Sequence, residues 1–152
     1  LSIAQMVQNL QTNSTLTPLV VVGDFNAYEF TDGYVDVIGE INGQVNPTDN
    51  LLSSNGSSIV NPVLTNIVDT INNEDKYSIT LFGDTEARYH ALVNDAALIK
   101  LSHIQYLRGN SDAPAHLRED HTQLLGLSDH DALVIYLDIL NQNDLIFRNR
   151  FE

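Results

Sequence analysis

The sequence contains no cysteine, so disulfide bonds and thiolate metal sites are excluded. Basic residues are few: 7 Lys and Arg stand against 20 Asp and Glu, which gives a formal net charge of −13. A basic stripe that could follow a nucleic-acid backbone is not visible, which counts against tight, sequence-independent binding of DNA. A phosphoester substrate is still compatible with this charge, because a bound divalent cation can supply positive charge locally.

Long apolar runs are also lacking. No run approaches the length of a membrane-spanning helix, and the sequence shows no signal peptide. The chain begins with Leu1 rather than Met, which suggests a processed or truncated product. What is present is a length of 152 residues with 43 % hydrophobic residues, which is enough for one domain with its own core.

The order of predicted elements indicates an α/β or α+β domain with helices on a sheet. A capping box at residues 2–5 predicts a first helix that breaks at 13–17, and the apolar run at 19–22 predicts a strand covered on both faces. The remaining predictions follow in chain order: a short helix at 32–41, a surface loop at 44–61, a helix at 62–71, a hairpin of strands 76–82 and 87–93 joined by residues 83–86, a helical turn at 95–100, a strand at 102–107, a polar loop at 109–127 and a strand at 132–139.

Two polar motifs lie at the ends of predicted strands, where ligands tend to bind in open sheets. Asp24 and Asn26 follow the first strand, and Asp129 and His130 precede the last one. Asp24 can orient and deprotonate a water or hold a metal, and the Asn26 amide can donate to a phosphate oxygen. Asp129 can join the metal site, while His130 can stabilise or protonate a phosphorane oxygen. Each motif alone is more typical of a turn or a cap, so the informative feature is their joint occurrence.

The other polar candidates have competing interpretations. Arg108 can contact a phosphate, or it can form a surface salt bridge. His116 and His121 lie close together in a polar loop, but a zinc site there would need a third spaced ligand. His90 and His103 lie on predicted strands and are interpreted as packed or surface residues.

Taken together, the motifs resemble the endonuclease/exonuclease/phosphatase superfamily, which has a DNase-I-like fold. Residues 23–27 (GDFNA) and 128–134 (SDHDALV) look like that family's two late motifs. Residues 77–93, which include YSITLFG and RYHALV, lie where the family has a strand pair with a Leu-Asp-His-like motif. Residues 108–117 (RGNSDAPAHL) are similar to bacterial extracellular nucleases of this superfamily, and the resemblance covers most of residues 1–140.

The resemblance implies a metal-dependent phosphodiesterase, most often a nuclease, built as a four-layered sandwich with a mixed sheet and flanking helices. Asp24 would position the attacking water or a metal, and Asn26 would bind the scissile phosphate. Asp129 would support the metal, and His130 would stabilise or protonate the phosphorane. The implied metal is Mg²⁺, with Mn²⁺ and Ca²⁺ as alternatives, because these oxygen ligands suit hard cations. The implied location is extracellular, as for secreted bacterial nucleases.

Two departures from the family pattern change the expectation. Family domains are about twice as long, so residues 1–140 match only a C-terminal portion, followed by a tail at 141–152. An early metal-binding Glu would then come from a missing N-terminal half or from a dimer partner. At Tyr89 the family has an Asp that braces the catalytic His, and a neutral phenol would not stabilise an imidazolium as a carboxylate does.

The expected function is therefore hydrolysis of DNA or RNA by an extracellular, metal-dependent endonuclease, through attack of water on phosphate. One alternative is a catalytically impaired or truncated nuclease-like fragment, which Tyr89 favours. Another is a phosphatase of the same superfamily that acts on a small or lipid phosphoester.

Overall fold

The computed structural model describes residues 2–14, 16–27, 35–48, 58–117, 120 and 122–139. The expected tail at 141–152, His121, and parts of the predicted helix at 32–41 and loop at 44–61 lie outside the described residues. The described part combines short helices with antiparallel strands, which confirms the α+β class. Its elements follow in chain order: α1, Ile3–Asn13; β1, Val20–Asp24; α2, Val37–Asn42; β2, Thr65–Asn66; a 3₁₀ helix, Ile67–Thr70; β3, Ile79–Leu81; β4, Asp84–Glu86; β5, Tyr89–Val93; α3, Asp95–Leu98; β6, Leu101–Leu107; a second 3₁₀ helix, Ala115–Leu117; and β7, Ala132–Leu137.

Strand β5 is the middle of the fold, because its alternating side chains enter two separate cores. It is flanked by β1 and β2 in a three-stranded sheet, while β6 and β7 form a second sheet of their own. On one face, Leu92 packs in a core with α1 and α2. On the other face, Ala91 and Val93 pack against Ile104 of β6 and Leu133 of β7. The described elements thus form three layers: helices, the β1-β5-β2 sheet and the β6-β7 sheet.

Local sequence accounts for several elements as predicted. The side chain of Ser2 caps α1 by accepting a hydrogen bond from Gln5 N at 3.2 Å, and the helix ends at Asn13. Asn94 caps the predicted helical turn, α3, through a 3.0 Å hydrogen bond from Ala97 N. The strands predicted at 102–107 and 132–139 are β6 and β7, and they pair with each other.

Four predictions of local structure were wrong. Residues 62–71 do not form an α-helix, because β2 pairs with β5 and a 3₁₀ helix follows. The predicted hairpin of strands 76–82 and 87–93 does not form, because β3 pairs with β4 (84–86), while β5 pairs with β1 and β2. The chain reverses at Phe82 and Gly83, whose φ angles are 52° and 95°. Strand β1 is not covered on both faces, since Val22 is 54 % exposed. Every strand pair in the described ranges is antiparallel, so the mixed sheet is not found there.

An apolar groove of about 610 Å³ lies beside β1, which is an edge strand of its sheet as described. The side chains of Ile3, Met6 and Leu10 on α1 are about half exposed along this groove. Among the helices of the described residues, none has both the length and the apolar character needed to cross a membrane.

Candidate active site

The structure brings Asp24, Tyr89 and His130 together at one end of the β1-β5-β2 sheet. Backbone pairing sets Asp24 of β1 opposite Tyr89 of β5. The Asp24 Oδ2 atom lies 3.5 Å from Nδ1 of His130, which precedes β7. The ring centroids of Tyr89 and His130 are 5.1 Å apart, with the rings edge to face at 71°. A cleft of about 300 Å³ opens beside Asp24 and Tyr89 and reaches Ala132.

Both polar motifs also contain a turn that is closed by a hydrogen bond between a side chain and the backbone. The second carboxylate oxygen of Asp24, Oδ1, accepts a hydrogen bond from Asn26 N at 2.9 Å, and Asn26 has a φ of 48°. Ser128 Oγ likewise accepts a hydrogen bond from His130 N at 3.2 Å. The turn interpretation and the site interpretation are therefore compatible, because the turns use one Asp24 oxygen and leave the other facing His130. The Asn26 side chain is exposed and can reach a ligand.

Asp129 adds a second carboxylate to the same neighbourhood. It is exposed, and its charge acts on the Tyr89 phenol. Burial of that phenol, followed by the negative charges of Asp24 and Asp129, raises the pKa of Tyr89 above its ordinary value of 10.0. Tyr89 therefore stays neutral over the whole physiological range and can donate a hydrogen bond to a bound anion.

We expect the raised pKa of Tyr89 to make folding stability fall at alkaline pH. The unfolded chain releases this proton first, so the stabilisation is complete below pH 10 and is lost as pH rises through the folded pKa. In a Tyr89→Phe variant, the free energy of unfolding in urea should fall less between pH 9 and pH 11 than in the parent chain. Tyr136→Phe, at an exposed tyrosine on β7, is the matched control. Equal pH dependence in the parent and in Tyr89→Phe would contradict the expectation.

A buried polar cluster, here called the Asp131 cluster, fixes the backbone that carries His130. Asp131 is 0 % exposed and accepts hydrogen bonds from Arg108 NH1 at 2.9 Å, from Asn110 N at 2.9 Å and from the Ser111 side chain. Asn110 Nδ2 also donates to the His130 carbonyl at 2.9 Å. Burial alone would raise the pKa of Asp131, but these hydrogen bonds outweigh it and lower the pKa below the ordinary value.

Arg108 belongs to this cluster. Its guanidinium carbon lies 3.5 Å from the centroid of the Tyr77 ring, and its other donors reach the backbone carbonyls of Tyr77 and Asp75. The salt-bridge interpretation of Arg108 is thus the one observed, although its partner Asp131 is buried rather than at the surface. A contact between Arg108 and phosphate stays a prediction.

Residues that could hold a metal are fewer than a complete site needs. Within the described ranges, no group of three or more His, Cys, Asp or Glu side chains is arranged to bind a metal ion. The carboxylates of Asp24 and Asp129 have the oxygen chemistry that Mg²⁺ prefers, and their joint role as metal ligands stays a prediction. The zinc candidate stays a prediction, because His121 lies outside the described residues.

Comparison with known proteins adds no constraint on this geometry: no family model, curated protein or solved structure matches the chain.

Proposed function

We propose that this chain takes part in metal-dependent hydrolysis of phosphodiesters in nucleic acid, with water as the nucleophile. The observation that carries the proposal is the 3.5 Å pair of Asp24 and His130, which joins two motifs from opposite ends of the sequence. The three described layers are compatible with part of a four-layered DNase-I-like sandwich. Such an enzyme would act outside the cell, as its sequence resemblance to bacterial extracellular nucleases implies.

Each side chain has a role that its position allows. His130 directs Nδ1 towards Asp24, so its Nε2 is left to stabilise or protonate the phosphorane oxygen. Asp24 stabilises the imidazolium form of His130 that donates this proton, and it orients the attacking water and accepts its proton. The exposed Asn26 amide donates to a phosphate oxygen. A divalent cation held by Asp24 and Asp129 would neutralise negative charge on the phosphate.

Metal binding would be completed by ligands from elsewhere. The resemblance implies that a Glu is supplied either by an N-terminal half of the domain or by a second copy of the chain. Two carboxylates alone predict weak binding of Mg²⁺, with substrate phosphate contributing part of the coordination shell.

Tyr89 is the observation that favours the second candidate function, a catalytically impaired relative. Its ring packs edge-on against His130 where the family has a bracing carboxylate. The Asp24 oxygen that faces His130 is at 3.5 Å, which is longer than the roughly 2.7–3.2 Å of an ordinary hydrogen bond. Asp24 therefore stabilises the His130 imidazolium less than a carboxylate in direct hydrogen-bond contact would.

Nicking of supercoiled plasmid by the purified chain, with Mg²⁺, Mn²⁺ or chelator, tests the proposal. Asp24→Asn and His130→Gln should each lower the nicking rate roughly 10²–10⁴-fold, because both act on proton transfer. Asp84→Asn and His103→Gln are the matched controls, at exposed positions on β4 and β6. Activity that survives chelation, or equal rates in all variants, would overturn the proposal. Turnover of a small phosphomonoester without nicking would favour the phosphatase alternative.

A further inference from the structure

His90 is a buried histidine that the proposed chemistry does not use. Its side chain is 0 % exposed and points to the face of β5 opposite Tyr89. Its Nε2 lies 3.0 Å from the carbonyl oxygen of Ala27, and its Nδ1 lies 3.2 Å from Nδ2 of Asn66. Because a carbonyl oxygen only accepts, the contact with Ala27 places a proton on Nε2 of His90, which donates it.

Ala27, whose carbonyl accepts this hydrogen bond, is the last residue of the segment 24–27, here called the Asp24 loop. At the start of this loop, Phe25 N extends the β1-β5 pairing by donating to Arg88 O at 3.1 Å. The chain then turns at Asn26, whose φ of 48° lies in the left-handed region that asparagine enters more readily than most other residues. Ala27 is buried, so its carbonyl needs a donor from inside the protein, and the His90 imidazole supplies it.

We infer that His90 is a positioning residue that fixes Asn26 towards the phosphate. On the N-terminal side of Asn26, the Asp24 loop is held by the backbone of Arg88, which directly precedes β5. On the C-terminal side of Asn26, it is held by the hydrogen bond from His90. The Phe25 ring packs edge-on against the same imidazole, with centroids 6.1 Å apart. Two consecutive residues of β5 thus have different roles. Tyr89 faces the site, and His90, on the other face of the strand, anchors the C-terminal end of the Asp24 loop. The functional part of this inference rests on the proposed role of Asn26.

Two substitutions at His90 separate positioning from bulk packing. Glutamine places an amide nitrogen close to the imidazole Nε2, so His90→Gln keeps a donor for Ala27 O, whereas His90→Leu fills the space without one. We expect His90→Leu to lower the kcat for plasmid nicking roughly 10²-fold, the cost of a small misplacement of a substrate-binding group. His90→Gln should recover most of this loss.

Hydrogen exchange read by NMR at the backbone amides of Phe25 and Asn26 gives a readout that does not need activity. These amides should exchange faster in His90→Leu and close to the parent rate in His90→Gln. Unchanged exchange in His90→Leu, or equal acceleration in both variants, would overturn the inference. If the parent chain does not nick plasmid while exchange behaves as expected, the proposed function fails and the anchoring role of His90 stands.

A measurement on the parent chain covers the case in which His90→Leu does not fold. Nitrogen-15 NMR of the His90 ring should show a slowly exchanging proton on Nε2. An unprotonated Nε2, or a rapidly exchanging Nε2 proton, would contradict the hydrogen bond to Ala27 and with it the inference.

Discussion

A Tyr89→Asp variant is expected to nick plasmid roughly 10²-fold faster than the parent chain, because it places a carboxylate beside His130. In the structure, Tyr89 packs edge-on against that ring, and the facing oxygen of Asp24 is 3.5 Å away. A direct brace would stabilise the imidazolium more strongly. A larger gain is not expected, because the negative charges of Asp24 and Asp129 repel a third carboxylate.

Tyr89→Asn is the matched control for this experiment, since it has the size of Asp and lacks the charge. Its rate should stay near that of the parent chain. Rates measured over a range of Mg²⁺ concentrations separate a braced imidazole, which raises kcat, from a tighter metal site, which lowers the Mg²⁺ concentration needed for half-maximal activity. No gain from Tyr89→Asp in a folded, metal-dependent enzyme would mean that Asp24 already supplies the brace.

The largest loss of stability is expected from Asp131→Asn, at about 3–5 kcal/mol, because the change leaves the charge of Arg108 without its buried partner. Asp131 is 0 % exposed and accepts from Arg108 at 2.9 Å, as well as from three donors of the loop at 110–111. Urea unfolding at pH 7 measures this loss. Asp84→Asn, at an exposed acid on β4, is the control and should change stability by less than about 1 kcal/mol.

The same carboxylate gives this stability a predicted pH dependence. Hydrogen bonds hold the pKa of Asp131 below its ordinary value of 3.8, so its contribution is present above that value and is lost as pH falls through the folded pKa. The parent chain should therefore lose more stability than Asp131→Asn between pH 4 and pH 2. Equal losses of the free energy of unfolding in the two chains over this pH range would contradict the prediction.

The sequence was sufficient for elements whose cause is local. Helix α1 was predictable from Ser2 and from apolar spacing along one face, and β7 from alternation at Leu133 and Ile135. The prediction of a helix at 62–71 was wrong because Val63, Ile67 and Val68 have helical spacing. Pairing of residues 65–66 with β5 decides the structure instead. That pairing is a contact between distant parts of the chain, which periodicity cannot report.

The candidate site shows the same difference between features with a local cause and features that depend on tertiary contacts. Asp24, Asn26, Asp129 and His130 could be singled out because polar side chains in short motifs next to strands suggest chemistry. The anchoring role of His90 was missed, since the burial of a polar residue and the identity of its partners depend on tertiary structure. The Asp131 cluster was missed for the same reason, although its members stand in the two quoted motifs at 108–117 and 128–134. One signal was available for His90: a histidine inside the apolar strand at 89–93 needs a buried partner.

The pairing of Asp24 with residues that come about a hundred positions later has a consequence during synthesis on the ribosome. At about 5–20 residues per second, roughly 5–20 s pass between the emergence of β1 and that of His130. The Asp24 loop can close on β5 earlier, once Ala27 meets the His90 imidazole, so this end of the nascent chain takes shape in two stages. The first stage leaves the face of β5 with Ala91 and Val93 accessible to chaperones, and the second covers that face with β6 and β7 and completes the polar side of the cleft.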